Sequence, residues 1–164
     1  MIPISIDTKS KGWYTLSEMR ISKSKEDVKT YIAKLKYALE NDKVKITYQK
    51  KRQTDKTRNL RFTNEYTIAN LFSDENPVLA IKREIATLSI KDYMYCEKDT
   101  KYPKRSDMFV FAKYYDDYVY IKLRVELLSQ LGNYIFVLSF HYTDVPINDG
   151  CFPYRWFIGE KNGN

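Results

Sequence analysis

The single histidine of the chain, His141, ends a strand-like segment in which polar and apolar residues alternate. Tyr120, Lys122 and Arg124 alternate with apolar residues along the preceding segment of the same kind. A period of two puts alternate side chains on opposite faces of a sheet, so we expect these groups to share one face. An imidazole can act as an acid or a base, and nearby cations stabilise negative phosphates. The pattern therefore indicates chemistry on phosphodiesters.

The loop length of the first predicted hairpin decides which of its residues face each other. If residues 116–117 form the loop, Lys113 lies opposite Tyr120 and joins the polar face. Phe109 and Phe111 then lie on the polar face as well. The apolar face takes alternate residues of both strands: Met108, Val110, Ala112, Ile121, Leu123 and Val125.

The second predicted hairpin turns within residues 129–133, where Gly132 favours a turn. Its last strand adds three large side chains to the apolar face: Phe136, Leu138 and Phe140. A slip of one residue would expose all of them to water, so the hydrophobic pattern specifies the pairing. This pairing places His141 opposite Tyr120 or Lys122.

The composition favours one ordered domain with a polyanionic partner. The chain has 164 residues, of which 43% are hydrophobic and 30% charged. Its formal net charge of +7 suits either a nucleic acid or an acidic protein. Residues 43–61 read as a basic insertion. Such a run is either a solvated segment or a contact with a phosphate backbone, with Lys50, Lys51 and Arg52 as candidate RNA-binding residues.

The sequence also argues against a metal site, a membrane span and secretion. The two cysteines, Cys96 and Cys151, lack the spacing of metal ligands, and we interpret them as reduced thiols. The apolar run at residues 134–140 is far too short to cross a bilayer, and residues 1–13 lack the apolar core of a signal peptide. We therefore expect a cytoplasmic protein without a metal.

Two helices are predicted before the sheet. Ser24 is the candidate N-cap of the first, whose apolar stripe has helical spacing: Val28, Tyr31, Ile32, Leu35 and Leu39. The second begins near Pro77, since proline favours the first helical position. Residues 62–72 fit either a helix or a strand. Ser89 and Asp92 predict a capped short turn that runs to residue 95.

The remaining segments predict an α+β fold in which an antiparallel β-sheet is packed on one side by two or three helices. Residues 43–50 read as an edge strand, as does the start of the chain around Ile4, and the main strands begin at Met108. Residues 143–164 form an irregular tail anchored by Phe152, Trp156 and Phe157. The tail around Trp156 either covers the two phenylalanines of the polar face or leaves them open to stack on bases.

Four segments resemble, in order and spacing, successive blocks of a known family: residues 88–93 (LSIKDY), 109–113 (FVFAK), 119–123 (VYIKL) and 138–141 (LSFH). They resemble the MqsR-like toxins of the wider RelE-like group of bacterial toxin–antitoxin ribonucleases. The likeness covers about residues 81–142. It implies a RelE-like fold, metal-independent and cofactor-free cleavage of mRNA, free or on the ribosome, and neutralisation by a cognate antitoxin protein.

The resemblance also implies roles for individual residues. Tyr120 matches a tyrosine regarded as catalytic in the family, and His141 lies where relatives have a lysine or a histidine. The sequence departs from the family at two points, because a family lysine falls at about Tyr95 and a glutamine at Val110 or Phe111. If these roles are needed, other residues must supply them: Lys98, Lys113 or Arg124.

The chemistry that such a face suits is attack of a ribose 2′-hydroxyl on the adjacent phosphorus, which leaves a 2′,3′-cyclic phosphate. His141 is the expected acid, because an imidazole titrates near neutrality. Tyr120 is the candidate base, provided that neighbouring lysines lower its pKa. Lys113, Lys122 and Arg124 are the expected phosphate ligands, and we count Lys113 and Lys122 among the candidate catalytic residues. Arg124 and Lys98 are further candidate RNA-binding residues. Two other functions fit the same pattern: a non-catalytic RNA- or ribosome-binding module, and an interaction domain for an acidic protein.

Overall fold

The computed structural model of the protein describes residues 20–128 and 132–156. Within them, three α-helices pack on a six-stranded, mostly antiparallel sheet, which confirms the predicted α+β class. The helices are α1 (Lys25–Glu40), α2 (Asn64–Leu71) and α3 (Pro77–Ala86). The strands are β1 (Arg20–Ile21), β2 (Lys45–Tyr48), β3 (Tyr93–Glu97), β4 (Met108–Tyr114), β5 (Tyr118–Leu128) and β6 (Gly132–Tyr142). The sheet order is β1-β3-β4-β5-β6-β2, and β2 pairs with β6 in parallel.

The helices begin where capping side chains satisfy their first amide groups. Ser24 Oγ accepts a hydrogen bond from Asp27 N at 3.1 Å, and Pro77 occupies the first turn of α3, so both predicted helix starts are confirmed. The ambiguous segment around residues 62–72 is helical over α2. Thr63 provides the reason, because its hydroxyl accepts from Tyr66 N at 3.2 Å and starts a helix there.

The register of β4 and β5 differs by one residue from the predicted register. Tyr114 pairs with Tyr118, so the loop contains three residues instead of two, and Tyr115 N donates to Asp117 O across it. The extra residue reverses both faces of β4. Its two phenylalanines therefore point into the core, while the smaller side chains lie on the polar face: Met108, Val110 and Ala112. Burying the larger aromatic rings is the more stabilising choice.

In the observed register, Phe109 packs against aromatic rings in the core. Its ring stacks on the Tyr31 ring of α1 with the centroids 3.6 Å apart, and it also contacts the Tyr93 ring. Both predicted roles for Phe109 and Phe111 on the polar face are wrong, because the two rings are buried among the helices. Neither base stacking nor a cover from the tail is needed to account for them.

A β-bulge in β6 corrects the second predicted pairing. Lys122 pairs with Ser139 and Leu123 pairs with Val137, so Leu138 is an extra residue on β6. Phe140 faces the core as predicted, but beyond the bulge Val137 and Ile135 replace Leu138 and Phe136 there. The bulge thereby turns two apolar side chains towards the polar face.

Helix α2 covers the part of the β6 edge that β2 does not reach. Asn64 Oδ1 accepts from Phe140 N at 2.9 Å, and its Nδ2 donates to Leu138 O and Gln49 O at 3.0 and 2.7 Å. Thr67 Oγ1 accepts from Tyr142 N at 2.9 Å. These side chains make the backbone hydrogen bonds that a neighbouring strand would otherwise make, so this part of the β6 edge is protected from pairing with another chain.

The other predictions for the ends of the sheet have mixed outcomes. The edge strand predicted at residues 43–50 is confirmed as β2. The capped turn predicted from Ser89 is confirmed over residues 90–92, but it ends where the strand β3, which was not predicted, begins at Tyr93. Phe152 of the tail is buried, but Trp156 is exposed and does not anchor it. The predicted strand around Ile4, most of the second hairpin turn and Phe157 lie outside the described residues. No helix in the described ranges has the length and apolar character to span a membrane.

Candidate functional site

Four polar side chains meet on the face of the sheet opposite the core. Tyr120 pairs with His141 across β5 and β6, and Lys122 pairs with Ser139 two residues along. Because alternate residues of a strand share a face, these groups project to the same side. The Tyr120 and His141 rings stack with their centroids 5.5 Å apart. Of the two partners predicted for His141, the structure selects Tyr120.

Small residues on β4 allow β3 to reach this patch from the other side. Val110 lies between Lys122 and Tyr95 in the sheet. Above it, the hydroxyl oxygens of Tyr95 and Tyr120 are 3.0 Å apart and share a hydrogen bond. The Glu97 carboxylate forms an ion pair with Lys122. The site is thus built from three strands and depends on the observed register of β4.

Two arginines of the basic segment close over β6. Arg52 Nη1 donates to Ser139 Oγ at 3.1 Å, and Arg58 Nη1 lies 3.5 Å from His141 Nε2. Asp55 holds the turn between them, because its carboxylate accepts from Arg52 N at 2.8 Å and its carbonyl accepts from Arg58 N at 3.4 Å. The segment therefore delivers two guanidinium groups to the polar face in a defined position.

The surroundings of His141 hold it in one neutral tautomer. Its Nδ1 lies 2.8 Å from Tyr142 O, and since a carbonyl can only accept, Nδ1 carries the proton. Its Nε2 faces Arg58, which can only donate, so Nε2 presents a lone pair. Burial, together with the positive charges of Arg58 and Arg52, lowers the pKa of His141 from 6.5 to about 4. At neutral pH this imidazole is a proton acceptor, which corrects the expectation of an acid that titrates near neutrality.

The surroundings of Tyr120 disfavour loss of its phenol proton. Burial raises its pKa, and the neighbouring Tyr95 and Glu97 raise it further. The sequence predicted the opposite direction, on the assumption that neighbouring lysines dominate. Lys122 does not have that effect, because its charge is matched by Glu97. Tyr120 therefore keeps its proton, and its contacts in the site are the hydrogen bond to Tyr95 and the stack on His141.

These groups line a pocket of about 570 Å³, which we call the site pocket. Its charged lining comprises four cations and two acids: Arg20, Arg52, Arg58, Lys122, Glu97 and Asp144. Residues 143–147 and Cys151 of the tail form one wall of the pocket. Arg20 stacks over the Tyr95 ring at 4.2 Å on another side. A concave site with an excess of fixed cations is suited to an anionic ligand.

Lys113 does not belong to the site, contrary to the prediction. With the observed register it pairs with Val119, and its Nζ donates to Thr87 Oγ1 at the end of α3. Its side chain also lies over the Tyr115 ring. Lys113 therefore points to the helical face, and it is removed from the set of candidate catalytic residues.

Most of the predicted RNA-binding residues lie outside the site pocket. Arg124 is buried, with Nη1 2.8 Å from Asp99 and Nε 3.2 Å from Glu126, so its charge is matched. Lys50 forms an exposed ion pair with Glu65 at 3.5 Å, and Lys51 is exposed; neither lines the site pocket. Lys98 lines a neighbouring groove. Among these candidates, Arg52 is the residue that reaches the site pocket.

Sequence reasoning missed Arg20, Arg58, Tyr95 and Glu97 as site residues. Arg58 had one signal, its place in the basic segment, but its distance along the chain from His141 hid the contact. Tyr95 was missed because the predicted turn runs to residue 95, and Glu97 because no strand was predicted there. Residues 93–97 show no clean alternation of polar and apolar residues, and a bulge between Tyr93 and Tyr95 breaks the period of two, so alternation alone does not assign these side chains to the polar face.

The described residues include no group of three or more His, Cys, Asp and Glu side chains arranged to hold a metal ion. No family model, curated protein or solved structure matches the chain. The resemblance to the MqsR-like toxins therefore stays a prediction, and the geometry of the site carries the functional argument.

Proposed function

We propose that the protein is an endoribonuclease that cleaves RNA at the site pocket by attack of a ribose 2′-hydroxyl. One observation carries the proposal: the Nε2 lone pair of His141 faces Arg58 in a cationic pocket. A proton acceptor beside fixed guanidinium groups meets the two main needs of the reaction, deprotonation of the hydroxyl and stabilisation of the phosphorane.

In the proposed reaction, His141 Nε2 takes the proton of the 2′-hydroxyl as the 2′ oxygen bonds to phosphorus. The bond to the 5′ oxygen breaks, which gives a 2′,3′-cyclic phosphate and a 5′-hydroxyl end. Lys122, two residues from Tyr120 on β5, supplies the proton for the departing oxygen. Arg52 and Arg58 stabilise the added negative charge, since guanidinium groups pair well with phosphate oxygens.

The low pKa of His141 is compatible with a base because the substrate is itself an anion. In the described structure, burial and two guanidinium charges hold the pKa at about 4. A phosphate between Arg52 and Arg58 would neutralise part of their charge and place a negative charge near the imidazole. Both effects raise the pKa of His141 towards the working pH, where a base is most effective.

The biological role proposed with this activity is that of a RelE-like toxin in a bacterial toxin–antitoxin module, in the cytoplasm. Its support is the MqsR-like order of sequence blocks together with the α+β fold. The proposed partners are mRNA, free or on the ribosome, and a cognate antitoxin protein. An acidic antitoxin segment would find the same cations that a phosphate backbone finds.

End-group analysis tests the proposed activity. Purified protein is incubated with an mRNA in the presence of a metal chelator, and the fragment ends are determined. We expect 2′,3′-cyclic phosphate and 5′-hydroxyl ends. Intact RNA, or fragments with 5′-phosphate ends, would contradict the proposal.

A non-catalytic RNA- or ribosome-binding function is the second candidate, and one observation favours it. Burial shifts the pKa of His141 down and that of Tyr120 up, so both groups are moved away from neutral titration. A site of this kind suits binding without chemistry unless the ligand restores the pKa of His141. RNA affinity that persists without cleavage by the wild-type protein would support this function.

A further inference from the structure

A second groove continues from the site pocket across the polar face. It has a volume of about 580 Å³, and we call it the Tyr102 groove. Arg52, Glu97 and Lys122 line both cavities, so the two are joined along these side chains. A ligand that is held in the site pocket can therefore extend into the Tyr102 groove.

The charge of the Tyr102 groove is positive after its ion pairs are taken into account. Its acidic lining residues are Glu97 and Asp99, whose carboxylates pair with Lys122 and Arg124. Four further cations line it: Arg52, Lys98, Lys101 and Arg105. The lining of the groove therefore carries a net positive charge, which suits a polyanionic ligand.

The groove also offers flat and apolar surfaces. The bulge in β6 turns Phe136 and Leu138 into its lining. At its rim, the Arg105 guanidinium lies 4.3 Å from the centre of the Tyr102 ring. Asp99 Oδ1 accepts from Tyr102 N at 2.9 Å and Arg105 N donates to Tyr102 O at 2.9 Å, so the loop that carries this pair is held in shape. Unpaired nucleobases stack on aromatic rings and guanidinium planes of this kind.

We propose that the Tyr102 groove is a nucleotide subsite in which an unpaired base of the RNA strand stacks on the Tyr102–Arg105 pair. This inference rests on the proposed function for the identity of the ligand, and it adds that the bound strand is single. In a duplex the base faces are covered by their neighbours, so the stacking surface would have no partner. The amide groups of Gln49 and Gln53, which also line the groove, suit hydrogen bonds to base edges.

Fluorescence anisotropy with RNA that cannot be cleaved tests the subsite separately from catalysis. The probes are labelled 2′-O-methyl oligonucleotides of two and eight nucleotides and a blunt duplex of the longer strand. We expect the long single strand to bind about tenfold more tightly than either other probe. Tyr102→Ala and Arg105→Ala should each weaken the long strand by about tenfold and leave the dinucleotide unchanged.

Matched substitutions outside the groove control for general effects. Tyr37→Ala and Lys36→Ala change an exposed tyrosine and an exposed lysine of α1, and neither should alter any affinity. Photocrosslinking of a 4-thiouridine-labelled strand to the wild-type protein adds a test without substitution, with the adduct expected in the peptide that contains Tyr102. Equal affinities for the three probes, unchanged binding by both groove variants, or an adduct confined to other peptides would overturn the subsite. Absence of cleavage with these binding results intact would overturn the nuclease alone.

Discussion

Arg58 Nη1 lies 3.5 Å from His141 Nε2, although the two residues are 83 positions apart in the chain. The contact joins the turn that follows β2 to the end of β6, and it points the guanidinium at the single lone pair of the imidazole. A positive charge in this position opposes protonation of the ring. Burial is the largest cause of the low pKa of His141, and the Arg58 charge adds to it. In the proposed function the same charge binds a phosphate of the substrate.

The stability of the protein should depend on pH through His141. Its pKa is about 4 in the folded protein and 6.5 is its ordinary value, so the unfolded chain binds more protons between these pH values. Above pH 6.5, His141 is neutral in both states and does not lower the free energy of unfolding. As the pH falls from 6.5 towards 4, protonation of His141 in the unfolded chain lowers this free energy. We expect the free energy of unfolding to fall by about 3 kcal/mol over this window. Urea denaturation of the wild type and His141→Gln measures this, and parallel pH curves for the two would contradict the shift.

Tyr120 should act through its ring rather than through its proton. Tyr120→Phe keeps the stack on His141 and loses the hydrogen bond to Tyr95, so we expect RNA cleavage to fall by less than about fivefold. Tyr120→Ala removes the stack as well, and we expect a loss of about a hundredfold because the His141 ring loses the contact that fixes its orientation on this side. Initial cleavage rates compare the two variants. A Phe variant as inactive as the Ala variant would restore the phenol as a catalytic group.

Lys113 and Lys122 form a matched pair of strand lysines on opposite faces of the sheet. Lys113→Ala should leave RNA cleavage unchanged, because its ammonium group contacts Thr87 on the helical face. Lys122→Ala should reduce cleavage by about a hundredfold, since the proposed acid is lost and Glu97 is left without its partner. Single-turnover rates distinguish the two, and a large loss in the Lys113 variant would contradict the observed β4–β5 register.

Asn64 should contribute more to stability than its neighbour Asn70 on the same helix. Asn64 is buried and makes three hydrogen bonds to the backbone of β6 and Gln49, so Asn64→Ala leaves buried groups unsatisfied. We expect a cost of about 3 kcal/mol. Asn70→Ala removes one bond from an exposed side chain to Tyr142, at a cost of about 1 kcal/mol or less. Thermal unfolding of both variants measures the difference, and equal losses would show that α2 does not secure the β6 edge.

The sequence was sufficient for the features that depend on local pattern. Ser24 and Pro77 mark helix starts through capping chemistry that needs no tertiary contact, and Phe140 and His141 were assigned to opposite faces of β6 by alternation alone. The α+β class was predicted correctly because the helices precede a run of strands with alternating residues. These predictions depend on short-range periodicity, which a single chain displays directly.

The predictions that were wrong concern features that depend on single residues or on contacts between distant parts of the chain. The β4–β5 loop has one more residue than predicted, so Lys113 lies outside the site and Phe109 lies in the core. The residue pattern does not predict that loop length. The bulge at Leu138 had the same effect on β6. The position of Arg58 over His141 follows from how the basic segment packs, which alternation cannot reveal. The direction of the Tyr120 pKa shift likewise depends on burial, which follows from the complete fold.

Cleavage of a chimeric oligonucleotide with one ribonucleotide among deoxyribonucleotides tests the central claim most directly. The wild-type protein in chelator should cut after the single ribose and leave a 2′,3′-cyclic phosphate, while an all-deoxy strand stays intact. His141→Gln should bind the chimera with unchanged affinity and cut it at least about a hundredfold more slowly. Cleavage by His141→Gln at the wild-type rate, or no cleavage by the wild type, would contradict the assignment of His141 Nε2 as the base.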